Sequence, residues 1–325
     1  MAQDVKALEA KVKGDFTSFG QTIIQRRSLR SNDVAIDIKY CGICHSDVSM
    51  VQWQGAHFPM VPGHEITGIV SAVGAEVTAF KVGDRVGVGC FVNSCGKCAA
   101  CKAGQEQFCE KGTIVVFDSE DYDGTVTQGG YSQSIVVKDH FVLHIPDQLS
   151  LADAAPLLCA GITTYNPLKR YGINETSKVA IIGLGGLGHI AVQFAAKMGA
   201  EVTVFGHSES KRDEAHKFGA KSYEILKDLA DFKPMAGQFD FILNTLAVNL
   251  DLDNYLPLLK LNGVFCYVGI PSEDVHFNLF SLFGNQATVT ASSVGGIKMT
   301  QEMLDYAVKN DIKPQIEMIS INDVS

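Results

Sequence analysis

Four cysteines crowd into "CFVNSCGKCAACKAGQEQFC": Cys95, Cys98, Cys101 and Cys109, spaced C-x2-C-x2-C-x7-C. Four thiolates this close match a closed tetrahedral zinc site, which folds a loop too polar to hold itself by packing. An iron–sulfur cluster is the rival reading, but the bacterial cluster run has three residues before its fourth cysteine and a proline after it. Here seven residues precede Cys109, and Glu110 follows it. Upstream, "CGICHSD" and "VPGHE" place Cys44, His64 and Glu65 at the ends of strand-like segments. A catalytic zinc takes three protein ligands and keeps one position open, and Cys2His is one such set. Cys44 and His64 could supply two, and a third must come from further along. "APLLCAGITTY" carries Cys159 among apolar and small residues, a setting that by itself reads as a buried thiol.

A second chemistry lies in "KVAIIGLGGLGHIAVQFAAKMGAEVTVF". Gly183, Gly185 and Gly188 supply G-x-G-x-x-G between an apolar strand over 179–182 and a helix that runs to Met198 before Gly199 stops it. In that order the glycines let the backbone approach a pyrophosphate at a helix N-terminus. His189, Gln193 and Lys197 recur every fourth position, which predicts a polar stripe on that helix. The next strand ends "VTVFGHSESKR". An NAD site normally carries an acid there for the ribose 2′-hydroxyl. Gly206 stands in that place, with Ser208, Lys211 and Arg212 just beyond, and an uncharged strand end followed by donors and cations suits the 2′-phosphate of NADP. Glu209 argues the other way, and Lys211 and Arg212 also read as an exposed helix start.

These groups need elements to hold them. Up to about residue 150 the chain alternates short Val/Ile-rich segments with Gly, Asp and Pro, in "DVAIDIKY", "ITGIVSAVG", "DRVGVGCFV", "YSQSIVVKD" and "FVLHIP". That is the texture of a β-rich domain. Beyond it, apolar strands alternate with helical stretches, as in βαβ units on a parallel sheet. With 325 residues, two domains are expected. The predicted class is α/β, with a β-rich zinc domain over 1–152, to which 291–325 returns, and a doubly wound cofactor domain over 153–290. A net charge of −9 argues against nucleic-acid and anionic-membrane partners. The N-terminus has no apolar signal core. Nine cysteines in a chain read as cytoplasmic point to metal or redox chemistry rather than disulfides.

Taken together with "FKVGDRVGVGC", "GGYSQSIVV" and "SSVGGIKMTQEMLDYA", these motifs resemble the zinc-dependent medium-chain alcohol dehydrogenases, in particular the cinnamyl alcohol dehydrogenase branch of NADP-dependent aldehyde reductases. The likeness runs from about residue 15 to the end, in order and in spacing. It implies a GroES-like catalytic domain, a Rossmann cofactor domain, one catalytic and one structural zinc, and a homodimer. It makes Cys44, His64 and Cys159 the catalytic zinc ligands, Glu65 the acid beside the metal, and Asp47 the carboxylate that orients the histidine. Ser46 matches the hydroxyl that passes the proton, and Thr163 a contact to the nicotinamide. Gly183, Gly185, Gly186 and Gly188 match the pyrophosphate loop, and Ser208 and Lys211 the 2′-phosphate site.

Two positions depart from the pattern. The branch usually carries a histidine three residues past the relay hydroxyl, where this chain has Ser49. The family also continues past "INDVS" with a helix and a strand, so the returning segment is expected to be shortened. The expected activity is interconversion of primary alcohols and aldehydes with NADP(H), mainly aldehyde reduction on aromatic and aliphatic small molecules. A polyol dehydrogenase and a non-catalytic zinc or redox-sensing relative are the alternatives. Trp53, Phe58, Phe117 and Phe283 are candidates for an aromatic pocket or for ordinary packing, and Cys41, Cys90 and Cys266 read as plain thiols.

Overall fold

Residues 3–324 are described by a computed structural model. Contacts divide the chain into two units, one that ends at Ile162 and resumes at Gly295, the other Thr163–Val294. The change of texture along the sequence suggested seams near 152 and 291. The first seam lies later because residues 151–162 pack on the sheet of the first unit: Thr67 Oγ1 donates to the Leu151 carbonyl at 2.7 Å, a bond with a net contribution of about 1 kcal/mol.

In the first unit β1 (Gln3–Glu9) and β2 (Gly20–Arg26) pair antiparallel. They are followed by β3 (Asp33–Gly42), β4 (Glu65–Val73), β5 (Arg85–Val88), β6 (Phe91–Asn93), β7 (Ile114–Val115), β8 (Ser134–Lys138) and β9 (Leu143–His144). Five of these form an antiparallel sheet in the order β8-β3-β4-β5-β9, and β6 pairs with β7. Alternation drives the sheet: Val34, Ile36, Ile66, Val86 and Val88 are buried, while Asp37 and Ser71 face out. Three helices interrupt the strands, α1 (His45–Gln52), α2 (Ala99–Lys102) and α3 (Leu151–Pro156). Ser150 caps α3 by accepting from the Asp153 amide at 3.0 Å, a device worth about 1 kcal/mol. Pro156, which brings no N–H to the ladder, stands where α3 widens into a π-turn over Leu157–Gly161.

The second unit begins within α4 (Ile162–Arg170) and is wound around β10 (Lys178–Ile182), β11 (Glu201–Gly206), β12 (Ser222–Ile225), β13 (Phe239–Asn244), β14 (Leu259–Tyr267) and β15 (Thr288–Ala291). All pairs are parallel, in the order β12-β11-β10-β13-β14-β15. The order reverses beside β10, which places the switch point at the glycine loop. Helices α5 (Gly186–Lys197), α6 (Arg212–Lys217), α7 (Leu229–Phe232), α8 (Leu252–Tyr255) and α9 (Phe280–Phe283) connect the strands. Ala180, Ile182, Ile242, Leu256 and Phe265 share one core cluster, as the near-continuous apolar strands of a parallel sheet require.

One helix face differs from its sequence pattern. His189 is buried rather than solvated: its Nδ1 lies 3.0 Å from the Gly185 carbonyl and its ring packs near Phe218. A polar residue satisfied by the turn before it can face the core. The returning segment then adds α10 (Ile297–Lys309), with Thr300, Met303, Leu304 and Ala307 buried in the first unit. No helix among the described residues is long and apolar enough to cross a membrane. The α/β class, with a β-rich unit and a doubly wound parallel-sheet unit, is the one expected from the sequence.

Candidate metal centres and cofactor loop

Strand register assembles the first centre. In the antiparallel β3–β4 pair Gly42 stands opposite Glu65, so Cys44, just past one strand, and His64, just before the other, emerge at the same end. A Cβ on Gly42 would run into the Glu65 carboxylate, so glycine there makes the space for that acid. Gly87 and Gly89 do the same for the third donor. A Cβ on Gly87 would stand 2.8 Å from Leu158 Cδ1, and one on Gly89 2.9 Å from the Leu158 carbonyl. The π-turn therefore lies close against β5 and delivers Cys159. Donor atoms of Cys44, His64, Glu65 and Cys159 all fall within 4.8 Å of one another, with the two sulfurs 3.9 Å apart.

Asp47, on the first turn of α1, organises this cluster. Its Oδ1 lies 3.1 Å from His64 Nδ1 and accepts from the Gly63 amide at 3.0 Å, while Oδ2 accepts from the Cys44 amide at 2.9 Å. With Nδ1 so engaged, His64 Nε2 is the nitrogen left for a metal. Contact with Cys159, then burial, pushes the Cys44 thiol up to about 12. The Cys44 bond lowers the Cys159 thiol, but Cys90 beside it and burial carry it to about 12. Burial and the neighbouring Cys44 raise Glu65 well above the carboxylate range. Burial opposes charge on His64, yet Asp47 and Cys159 overcome it and hold its proton well above the usual imidazole range. Donors packed this densely resist sharing negative charge, and a divalent cation reverses that preference by binding the deprotonated forms. Two thiols, an imidazole and a carboxylate around one point fit zinc.

The four-cysteine loop forms the second centre. Sulfurs of Cys95, Cys98, Cys101 and Cys109 lie within 4.8 Å of one another. Backbone amides turn inward to them: Cys95 N lies 3.3 Å from Cys109 Sγ, Cys98 N 3.4 Å from Cys95 Sγ, and Cys101 N 3.5 Å from Cys98 Sγ. Burial would raise the Cys109 thiol, but the amides of Cys95 and Lys111 outweigh it and bring it to about 6. Amides of Cys101 and Glu110 lower Cys98 as well, whereas burial takes Cys101 up to about 11. An all-sulfur tetrad wrapped in N–H donors suits a closed structural zinc.

In the second unit the four glycines of the loop divide the work. Gly183 has φ +91° at the strand end. A Cβ on Gly185 or Gly186 would meet open space, and one on Gly188 would run into the Gly183 carbonyl. These are the tight turn, the open approach and the close packing that a pyrophosphate site needs. Gly185 caps α5 without a side chain, which leaves the helix N–H groups for an anion. At the end of β11, Ser208 Oγ lies 2.9 Å from Ser210 Oγ. Lys211 pairs with Glu214 at 2.6 Å, and Arg212 is held by both oxygens of Glu209 and stacks over Tyr223. A Cβ on Gly206 would run into the Tyr223 hydroxyl, which donates to the Ser208 carbonyl at 2.7 Å. Neither Tyr223 nor Ser210 was legible in the sequence, since only the β11–β12 pairing brings Tyr223 to this strand end.

Other candidates lie as follows. Ser46 and Ser49 are exposed on α1, and Thr163 is half-buried in α4. Phe117 packs its ring 6.0 Å from that of His64, while Trp53 is exposed and Phe58 half-buried. Phe283 belongs to the second unit, exposed and 5.7 Å from Phe280. Cys41 and Cys90 are half-buried and Cys266 is buried, all with free thiols.

Known proteins resemble this chain in sequence and fold. Residues 30–147 fit the family model for the alcohol dehydrogenase GroES-like domain, and residues 186–309 that for zinc-binding dehydrogenases. The chain belongs to the zinc-dependent medium-chain alcohol dehydrogenases, and within them to the branch of the cinnamyl alcohol dehydrogenases. It is 54% identical over 308 residues to a probable formaldehyde dehydrogenase of Bacillus subtilis, covering 94% of this chain and 88% of that one. It is 50% identical over 303 residues to an NADP-dependent alcohol dehydrogenase of Mycolicibacterium smegmatis, with 92% and 87% covered. A solved cinnamyl alcohol dehydrogenase of Sorghum bicolor superposes with a TM-score of 0.92 at 36% identity, over 98% of this chain and 91% of its own. The chain is thus an oxidoreductase of alcohols and aldehydes.

Proposed function

We propose that this enzyme works mainly as an NADPH-linked reductase of aromatic and aliphatic aldehydes, with Cys44, His64 and Cys159 as ligands of a catalytic zinc. The observation that carries the reading is the convergence of these three donors with Glu65 within 4.8 Å, oriented by Asp47. When bound, zinc supplies Lewis-acid polarisation of a carbonyl oxygen and NADPH supplies the hydride. The chain's own groups do the rest. Asp47 fixes the tautomer and orientation of His64. Ser46 Oγ donates a proton to the carbonyl oxygen as hydride reaches the carbonyl carbon, and recovers one from solvent, with water in place of the histidine that Ser49 replaces. Glu65, buried in the recess made by Gly42, is the acid that can exchange with the substrate side of the centre.

In the cofactor unit, Gly183, Gly185, Gly186 and Gly188 hold the pyrophosphate, and Thr163 contacts the nicotinamide. Ser208, Lys211 and Arg212 face the 2′-phosphate, and NADP is favoured because Tyr223 occupies the space that an acidic side chain at 206 would need. Cys95, Cys98, Cys101 and Cys109 hold the structural zinc. The protein acts as a homodimer in the cytosol. The unpaired outer edge of β15 and the exposed Phe280, Phe283 and Ile270 support association between cofactor units, and zinc thiolates require reduced cysteines.

The test is oxidation of NADPH and of NADH with cinnamaldehyde, benzaldehyde and short aliphatic aldehydes, before and after zinc chelation. NADPH-dependent turnover that chelation abolishes is expected. No oxidation of either cofactor with any aldehyde contradicts the reading.

A further inference from the structure

We propose that Glu106 is a positioning residue that couples the four-cysteine centre to the catalytic centre, so that metal in the first tightens the hold on metal in the second. Glu106 lies inside the four-cysteine loop, three residues before Cys109, yet its side chain is only 2% exposed. Its main-chain carbonyl accepts from the Cys109 amide at 3.0 Å and from the Thr113 hydroxyl, so its backbone is part of the loop that the metal closes. Its carboxylate points out of that loop into another element. Oε1 lies 2.8 Å from His140 Nε2, and Oε2 accepts from the Ile297 amide at 3.2 Å.

Ile297 is the first residue of α10, whose cap position is Gly296 and brings no side chain. The first turn of α10 carries no acid of its own. A helix start wants an acceptor and negative charge, and Glu106 provides both from 191 residues earlier in the chain. The fit is tight: a Cβ on Gly296 would stand 2.5 Å from Glu106 Oε2 and would run into the Gly104 carbonyl.

The other contact face of α10 reaches the π-turn that ends at Gly161. A Cβ on Gly161 would stand 3.1 Å from Met303 Sδ, and one on Gly295 would stand 2.7 Å from Ile162 Cδ1. Gly161 closes the π-turn that carries Cys159. A displacement of the four-cysteine loop therefore moves Glu106, Glu106 moves the start of α10, and α10 presses on the turn that aims the Cys159 thiolate. Packed elements of this kind transmit shifts because the interior has no slack.

The inference rests on both clusters holding zinc, and the zinc content of the wild-type protein tests that separately: fewer than two ions per chain overturns the reading and the coupling with it. The coupling is tested by zinc release to a chromogenic chelator from the wild type, Glu106→Gln, a Cys95→Ser/Cys109→Ser variant that empties the loop, and the combination. Emptying the loop should speed release from the catalytic centre about tenfold, as outer-shell changes do. Glu106→Gln alone should do the same with the loop zinc in place, and the two effects should not multiply when combined. With cobalt in the catalytic centre, the visible ligand-field bands should shift in Glu106→Gln. Should that variant fold poorly by circular dichroism, Met303→Ala, which leaves every Glu106 bond in place, must give the same faster release and the same spectral shift. Multiplying effects, or release rates and cobalt bands unchanged in Glu106→Gln and Met303→Ala, would overturn the coupling.

Discussion

Asp47 lies 3.1 Å from His64 Nδ1 with one oxygen and 2.9 Å from the Cys44 amide with the other. One carboxylate therefore fixes two donors of the cluster that are 20 residues apart in the sequence. Replacing it by Asn keeps the shape and removes the charge that favours the right tautomer. Asp47→Asn should weaken catalytic zinc binding by about 10–100-fold, read by competition with a graded series of chelators, and leave the four-cysteine zinc bound. An unchanged affinity would remove Asp47 from this role.

At the cofactor site, Gly206 and Tyr223 must be changed together. Because the Tyr223 hydroxyl fills the space beside Gly206, Gly206→Asp alone should destabilise the fold and weaken both cofactors. The pair Gly206→Asp/Tyr223→Leu, which removes the clashing end of the ring but keeps apolar volume at a fully buried position, should be more stable than Gly206→Asp alone and shift preference toward NADH. Comparison of kcat/KM for NADPH and NADH across the three proteins checks this; a switch by Gly206→Asp alone would contradict the steric argument.

The Glu106–His140 pair predicts a stability window in pH. Burial alone would raise Glu106, but His140 and the Ile297 amide hold it below the usual carboxylate range. His140 is raised by that carboxylate, against burial. A depressed acid stabilises above its unfolded pKa, and the gain is lost as pH falls through its folded pKa. A raised imidazole stabilises fully below its unfolded pKa, and the gain is lost as pH rises through the folded one. The difference in Tm between wild type and His140→Ala should therefore be largest in mildly acidic solution and shrink toward both sides. A difference flat in pH would show that the pair does not titrate as a unit.

What could be read from the sequence was what lies within one stretch of chain. Cys95, Cys98, Cys101 and Cys109 announce a metal by spacing alone, and the glycine loop announces its ligand because strand, turn and helix follow one another. Groups joined by tertiary contact did not show. Cys159 read as a core thiol until the family likeness assigned it, since nothing in its flanks says that Gly87 and Gly89 let its turn approach β5. Gly206 looked like a missing acid, and the structure shows what stands there instead, the Tyr223 hydroxyl from the neighbouring strand. Glu106 carries no signal of its own in the sequence, because its partners, His140 and Ile297, lie 34 and 191 residues away. His189 was misplaced on a polar stripe because periodicity does not see that the Gly185 carbonyl satisfies it inside the core.

The most direct measurement is the metal content of Cys159→Ala, by elemental analysis beside NADPH-dependent aldehyde reduction. The expected result is a fall from two zinc ions per chain to about one, with retention of the four-cysteine zinc, a folded protein by circular dichroism, and loss of turnover. Two zinc ions per chain together with intact aldehyde reduction would contradict the role of Cys159 as a ligand of the catalytic zinc.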